Sequence, residues 1–256
     1  MSRVLPILFN TDMVRAVLEN RKTVTRRLVK YKYDNTEIKM HTDKYGTRLI
    51  EIQVNVWGET YGNNADGSTW HKLRPYIEKE PPYRKGDILY VRETWAFIPC
   101  IGCSGDYIRD GGPLNCYDYQ AVEYDDGDSI SDGCFLYRAD CKSPERITWR
   151  PSIHMPKQAA RIWLKVRNLK AERLQDIKNF QAEGIELSEG CEECLAVCGE
   201  CNSDETPVGC DNEIEKFAGL WDATVRKANI DRYGWDANPW VWVIEFERCG
   251  KPESGG

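Results

Sequence analysis

The chain has 256 residues and a net charge of −6, so it can bury a sizeable core, and its overall charge does not mark it as a nucleic-acid binder. Nine tryptophans and an aromatic content of 11% exclude a disordered protein. The start, MSRVLPILFN, lacks a long apolar region with a small-residue cleavage site, and no apolar run reaches the thickness of a bilayer, which predicts a cytoplasmic protein with no membrane partner.

Residues 4–9 read as a short apolar strand, with Pro6 favouring an edge position. Asn10, Thr11 and Asp12 carry N-cap chemistry, and Met13, Val14, Val17 and Leu18 follow at helical spacing, so a helix is expected over about 11–20. It delivers the chain to Arg21-Lys22-Thr23-Val24-Thr25-Arg26-Arg27, and no acid appears between Asn20 and Asp34. Such a cluster can hold an anion, or set a lysine beside a hydroxyl for chemistry. It also reads as a charged helix end, because cations in a last helical turn suit the macrodipole.

Residues 31–82 show little helical periodicity and read as an insertion of small strands, of which 50–56 alternates cleanly. A turn at 81–87 feeds a strand over 88–95, whose residues have strong β propensity. Residues 100–132 are rich in Gly, Asp and Ser and predict an irregular excursion before a short strand at 134–138. Two prolines stiffen 149–156, and a short helical piece follows at 157–160. Residues 161–167 alternate apolar and basic, which predicts a strand with one buried and one cationic face. Residues 174–185 read as a short helix stopped by Gly184, and 214–227 as a helix with Phe217, Leu220 and Trp221 on one face. A strong strand at 240–247 follows. Strands dominate, which predicts a β-rich α+β chain: a small mixed β-barrel or strongly bent sheet with short helices packed on it. Repeated βα units, glycine-rich phosphate loops and a nucleophile elbow are all missing from the sequence.

Charge is segregated. From Arg146 to Ala171 there are seven Lys and Arg and no acid, whereas 106–140 and 183–205 are acidic tracts. One basic face is therefore compatible with the negative total. The eleven cysteines point to metal or free thiols in a reducing compartment. Cys191-x2-Cys194 and Cys198-x2-Cys201 match two zinc knuckles making a four-thiolate site, with Cys100-x2-Cys103 or Cys210 able to replace one pair. This insertion is poor in apolar residues, so structural zinc would order it; an iron–sulfur cluster or a reduced acidic loop are the other readings. Four thiolates leave no open position, so no metal is expected in catalysis.

Several blocks line up with one family: residues 19–27, 86–95, 149–156, 172–177, 182–185 and 238–246. Together they resemble ASCH-domain proteins of the longer type found in phages and prophages. The resemblance implies the PUA-like fold, a small β-barrel with flanking helices, as one domain over 1–250. Insertions would fall at about 31–80, 99–133 and 187–212, with a disordered tail at 251–256. It also implies two activities: RNA or modified-nucleoside binding, or, as in a short ASCH branch, amidohydrolase removal of the acetyl group from N4-acetylcytidine. In that branch a lysine, a threonine and a glutamate act; they map here to Lys22, Thr25 and Glu183, with Glu186 a rival for the acid.

A lysine beside a threonine can act when burial or cationic neighbours lower its pKa. Lys22 could then take a proton from Thr25 or water, and Glu183 could protonate the leaving amine. For nucleic acid, Arg21, Arg26, Arg27, Arg92, Arg150, Lys157 and Arg161 are the candidate phosphate contacts. Trp95 could stack on a base, though core packing is the commoner fate of a strand tryptophan. His154 could hydrogen-bond a ligand or be satisfied locally. A protein partner docking on the acidic insertions is the third reading.

Overall fold

The computed structural model describes residues 2–34, 36–44, 46–53, 61–63, 69–71, 77–99, 122–125, 127, 130–141, 147–180, 182–185 and 211–252. In chain order its strands are β1 (Val4–Leu8), β2 (Val24–Leu28), β3 (Thr36–Asp43), β4 (Gly46–Gln53), β5 (Tyr61–Asn63), β6 (Thr69–His71) and β7 (Ile77–Glu78). They continue as β8 (Ile88–Arg92), β9 (Trp95–Pro99), β10 (Val122–Asp125), β11 (Ile130–Tyr137), β12 (Trp163–Arg173) and β13 (Trp240–Cys249). The α-helices are α1 (Thr11–Leu18), α2 (Asp211–Thr224) and α3 (Ile230–Tyr233).

The chain is α+β and sheet-rich. A five-stranded sheet in the order β1-β8-β12-β13-β2 carries the main core. β1 and β8 are parallel, and the remaining pairs are antiparallel. β13 owes its inner position to an apolar run: Val241, Val243, Ile244 and Phe246 are all buried, as a strand covered on both faces requires. β1 takes an edge, where a proline is tolerated. The register of β12 on β13 shifts between Val166 and Asn168, a bulge at Arg167. Asn10 caps α1 by accepting from the Met13 amide at 2.8 Å. Val14 and Val17 of α1 then pack on Ile7, Phe9, Leu89, Leu164 and Phe246.

A second sheet, β10-β11-β9, encloses an aromatic cluster of Trp95, Phe97, Tyr124 and Phe135, with ring centroids 4.9–5.9 Å apart. The 31–80 region forms β3-β4-β7 and the β5-β6 pair.

Several expectations need correction. The stretch after α1 is not a helix end: Val24–Leu28 is strand β2, and Val24 and Thr25 are β-branched residues suited to it. Residues 174–185 form no α-helix; a 3-10 turn over Leu174–Asp176 is followed by irregular chain. Residues 36–43, in agreement with the small strands expected over this region, make an eight-residue strand. Among the described residues the five-stranded sheet does not close into a barrel by backbone ladders: β1 and β2 remain its edges. A side chain spans the gap, where Arg27 Nη2 donates to the Leu8 carbonyl at 2.9 Å.

Candidate functional site

The chain leaves α1 through a tight reversal. Asn20 has φ 59°, and the amides of Arg21 and Lys22 both donate to the Ala16 carbonyl, at 2.8 and 3.0 Å. The amides of Thr23 and Val24 then donate to the Ala182 carbonyl at 2.9 and 3.0 Å, and a bridge pairs Lys22 with Glu183. Backbone contacts thus fix the 21–24 segment against 182–184 before any side chain is considered. Gly184 permits the approach. Its φ is +79°, and a Cβ there would lie 2.6 Å from Ala16 Cβ and 3.0 Å from Lys22 Cβ.

On this frame Lys22 Nζ donates to Glu183 Oε2 at 2.8 Å and to the Glu183 carbonyl at 2.8 Å. Glu183 Oε1 accepts from Arg26 Nη1. Arg26 Nη2 donates to Glu172 Oε1 at 2.6 Å, and Lys170 Nζ lies 2.9 Å from Glu172 Oε2. Five alternating charges therefore run from Lys22, whose side chain is 1% exposed, to Lys170, whose side chain is 53% exposed. Among the described residues the buried Arg26 Nε has no hydrogen-bond partner. Burial holds the Lys22 ammonium below the ordinary lysine value; Glu183 opposes this, while Arg27 and Arg26 add to it. Burial likewise lowers Arg27, whose guanidinium lies 5.7 Å from the centre of the Phe9 ring.

Thr25 is buried within β2, opposite Ile244 of β13. Glu186 lies outside the described residues. Of the three residues carried over from the resemblance, Lys22 and Glu183 touch; Thr25 sits three positions along the same segment.

Two clefts flank β2. The larger, about 970 Å³, is lined among the described residues by six basic ones, Arg26, Arg27, Lys30, Lys79, Arg226 and Arg232, and one acid, Glu80. Tyr31, Tyr83, Trp221, Tyr233 and Trp242 give it aromatic walls. Its volume is at the upper end for small-molecule sites. The second, about 630 Å³, is lined by Arg26, Lys170, Glu172, Lys178 and Glu245 among others. Arg26 belongs to both walls, whereas Lys22, Thr25 and Glu183 line neither.

The remaining candidates scatter. Arg21 bonds Glu19 at 2.5–2.7 Å and the Gly184 carbonyl at 3.0 Å. Arg92 donates to the carbonyls of Met155 and Ile153. Arg150 lies 5.2 Å from the Trp95 ring centre. Arg161 forks onto Glu93 at 2.9 and 3.0 Å and also bonds Asp140, lying 4.0 Å over Tyr137. These partners raise Arg161 against the opposing effect of burial. Burial pushes Glu93 up in turn, with Arg161 opposing. Trp95 is 1% exposed and packs in the aromatic cluster, so it presents no face to a base. His154 and Lys157 are exposed on successive 3-10 turns.

Cys191, Cys194, Cys198 and Cys201, with the alternatives Cys100, Cys103 and Cys210, lie outside the described residues. So do most of the 99–133 and 187–212 insertions and residues 253–256 of the tail. Among the described residues no group of three or more His, Cys, Asp and Glu is placed to hold a metal ion. No described helix is long and apolar enough to cross a membrane.

The sequence reading missed the aromatic and basic lining contributed by Tyr31, Lys30, Arg226, Arg232 and Tyr233. Lys30 and Tyr31 continue the acid-free run after Asn20, which was the available signal. The basic spacing of Arg226, Lys227 and Arg232 was the other. No protein-family model, curated protein or solved structure matches the chain.

Proposed function

We propose that this chain is an ASCH-type protein with a PUA-like architecture that binds RNA or a modified nucleoside in the cleft along β2. The observation that carries this reading is the lining of that cleft: among the described residues, six cations against one carboxylate, interleaved with five aromatic residues. Cations attract the phosphates of a strand, and aromatic faces accept bases of any sequence. Overall charge hides this, because the net −6 sums 41 acids and 35 bases over the whole chain. The test is a titration of the full chain with single-stranded RNA and with N4-acetylcytidine at several salt concentrations. Binding that weakens with salt for RNA supports the reading; no binding of either overturns it.

A second reading, hydrolysis of the acetyl amide of N4-acetylcytidine, is favoured by the contact between Lys22 and Glu183. Lys22 in its amine form takes a proton from Thr25 or from water, and the resulting nucleophile attacks the acetyl carbonyl. The amide C–N bond then breaks, and the leaving amine takes, by way of Glu183, the proton that Lys22 removed, giving cytidine; acetate forms directly when water is the nucleophile, and when Thr25 is the nucleophile it forms after water hydrolyses the acetyl-Thr25 ester. Burial lowers the Lys22 pKa in the direction this chemistry needs. Incubation with N4-acetylcytidine, beside Lys22→Met, is the test. Turnover retained in the variant removes Lys22 from the chemistry.

A further inference from the structure

The six cations described in the larger cleft are not equivalent. Arg26 bonds Glu183 and Glu172, Arg27 donates to the Leu8 carbonyl, and Lys79 bonds Glu51 and the Lys30 carbonyl. Arg232 bonds Asp34 at 3.2 Å and the Tyr33 carbonyl at 3.1 Å, and lies 4.1 Å over the Tyr31 ring. An anion reaching these four groups must compete with contacts already made. Lys30 and Arg226 differ. Both are exposed, and among the described residues neither side chain has an ion-pair or hydrogen-bond partner. Lys30 follows β2 and Arg226 follows α2, so two separate segments bring them to one cleft.

We propose that Lys30 and Arg226 form a phosphate subsite, so that the ligand of this cleft is phosphorylated: a nucleotide or a nucleic-acid strand, not a free nucleoside. This rests on the nucleoside-binding reading above and narrows it. Cations with free donors are what a phosphate oxygen requires, and among the described residues Glu80 is the one carboxylate that lines the cleft. Tyr31, Tyr233 and Trp221 then supply faces for the base.

The test is calorimetric titration of the full chain with cytidine, cytidine 5′-monophosphate, a hexacytidylate strand and inorganic pyrophosphate. Wild type is compared with the Lys30→Gln, Arg226→Gln double variant, whose changes are at exposed positions. The monophosphate is expected to bind about tenfold or more tightly than cytidine, the scale of one charge-assisted contact. The double variant brings it down to the affinity of cytidine. For the strand, the variant lowers the slope of log K against log salt by about 1.4, two contacts at about 0.7 each. A strand bound more tightly than the monophosphate assigns the phosphate to nucleic acid; equal binding assigns it to a mononucleotide. Equal affinity for cytidine and its monophosphate in wild type overturns the subsite and leaves nucleoside binding standing. Pyrophosphate bound as tightly as the monophosphate, and lost in the variant, supports the subsite and overturns the nucleoside reading. No response to any of the four overturns both.

Discussion

Lys22 Nζ donates to Glu183 Oε2 at 2.8 Å across 161 positions of sequence, with both side chains nearly removed from water. A charge buried with its partner is tolerated; the same charge left alone is not. Glu183→Ala strips Lys22 of its carboxylate and frees one arm of Arg26. Unfolding in denaturant is expected to show a loss of roughly 3–5 kcal/mol. Pairing that change with Lys22→Met should recover part of the loss, because no unpaired ammonium remains. A single-variant loss under about 1 kcal/mol, within the range of exposed pairs, contradicts the buried pair.

The Lys22 pKa gives the pair an alkaline signature. Burial lowers it from 10.5, so the folded state releases this proton at a lower pH than the unfolded chain does. Between those two values the unfolded state binds more protons, and the Lys22 contribution to stability rises with pH. The difference between wild type and Lys22→Met should therefore shift in favour of wild type as pH climbs toward 10.5. Its slope is bounded by about 1.4 kcal/mol per pH unit. A pH-independent difference contradicts the shift.

Glu51 gives the opposite, acidic signature. Its side chain is 1% exposed and accepts from the amides of Lys32 and Tyr33 at 2.9 Å, from Thr36 Oγ1 at 2.6 Å, and from Lys79. Burial pushes its pKa up, but these bonds together bring it from 4.5 to about 2. A depressed carboxylate stabilises above its unfolded value, and that stability is lost as pH falls through 4.5 toward 2. The full contribution is on the order of 3 kcal/mol. Glu51→Gln should flatten stability against pH in that window; an unchanged acid limb contradicts the assignment.

Gly184→Ala tests the backbone frame. The substitution meets a left-handed φ and contacts of 2.6 and 3.0 Å, so Ala16 or Lys22 must move. A loss of about 1–3 kcal/mol is expected from the backbone conformation alone. Wild-type stability in the variant indicates that the segment can rearrange freely.

Trp95→Ala separates core from interface. Removing a buried indole should cost about 3–5 kcal/mol. Affinity for RNA or nucleoside, measured on the folded fraction, should stay unchanged, because the ring lies within the cluster of Tyr124 and Phe135. Lost affinity at full occupancy of the folded state contradicts this.

The sheet was partly legible in sequence. The apolar run from Trp240 to Phe246 announced a buried strand, and the alternation after Arg161 announced another, although β12 extends on to Arg173. Small strands were expected over 31–82, but the bounds of Thr36–Asp43 were not legible, because Glu37, Lys39 and His41 alternate with only two apolar residues, Ile38 and Met40. Local spacing also suggested a helix end at Arg21–Arg27, where long-range pairing of Arg26 and Arg27 with Val243 and Trp242 decided for strand. Lys22 and Glu183 were both singled out, but nothing local to either encodes their contact. Arg26 as the shared wall of two clefts depends on the fold alone.

The placement of β13 bears on how the chain is made. It lies between β12 and β2, yet its residues are 240–249. A nascent chain that has not yet emerged beyond Trp240 holds β2 with no ladder neighbour, and the Lys22 segment has no sheet to close against. Long-range pairing of this kind folds slowly. Synthesis therefore leaves β2 without its ladder partner until residues 240–249 have emerged, and fragments ending before 240 should accumulate as protease-sensitive species.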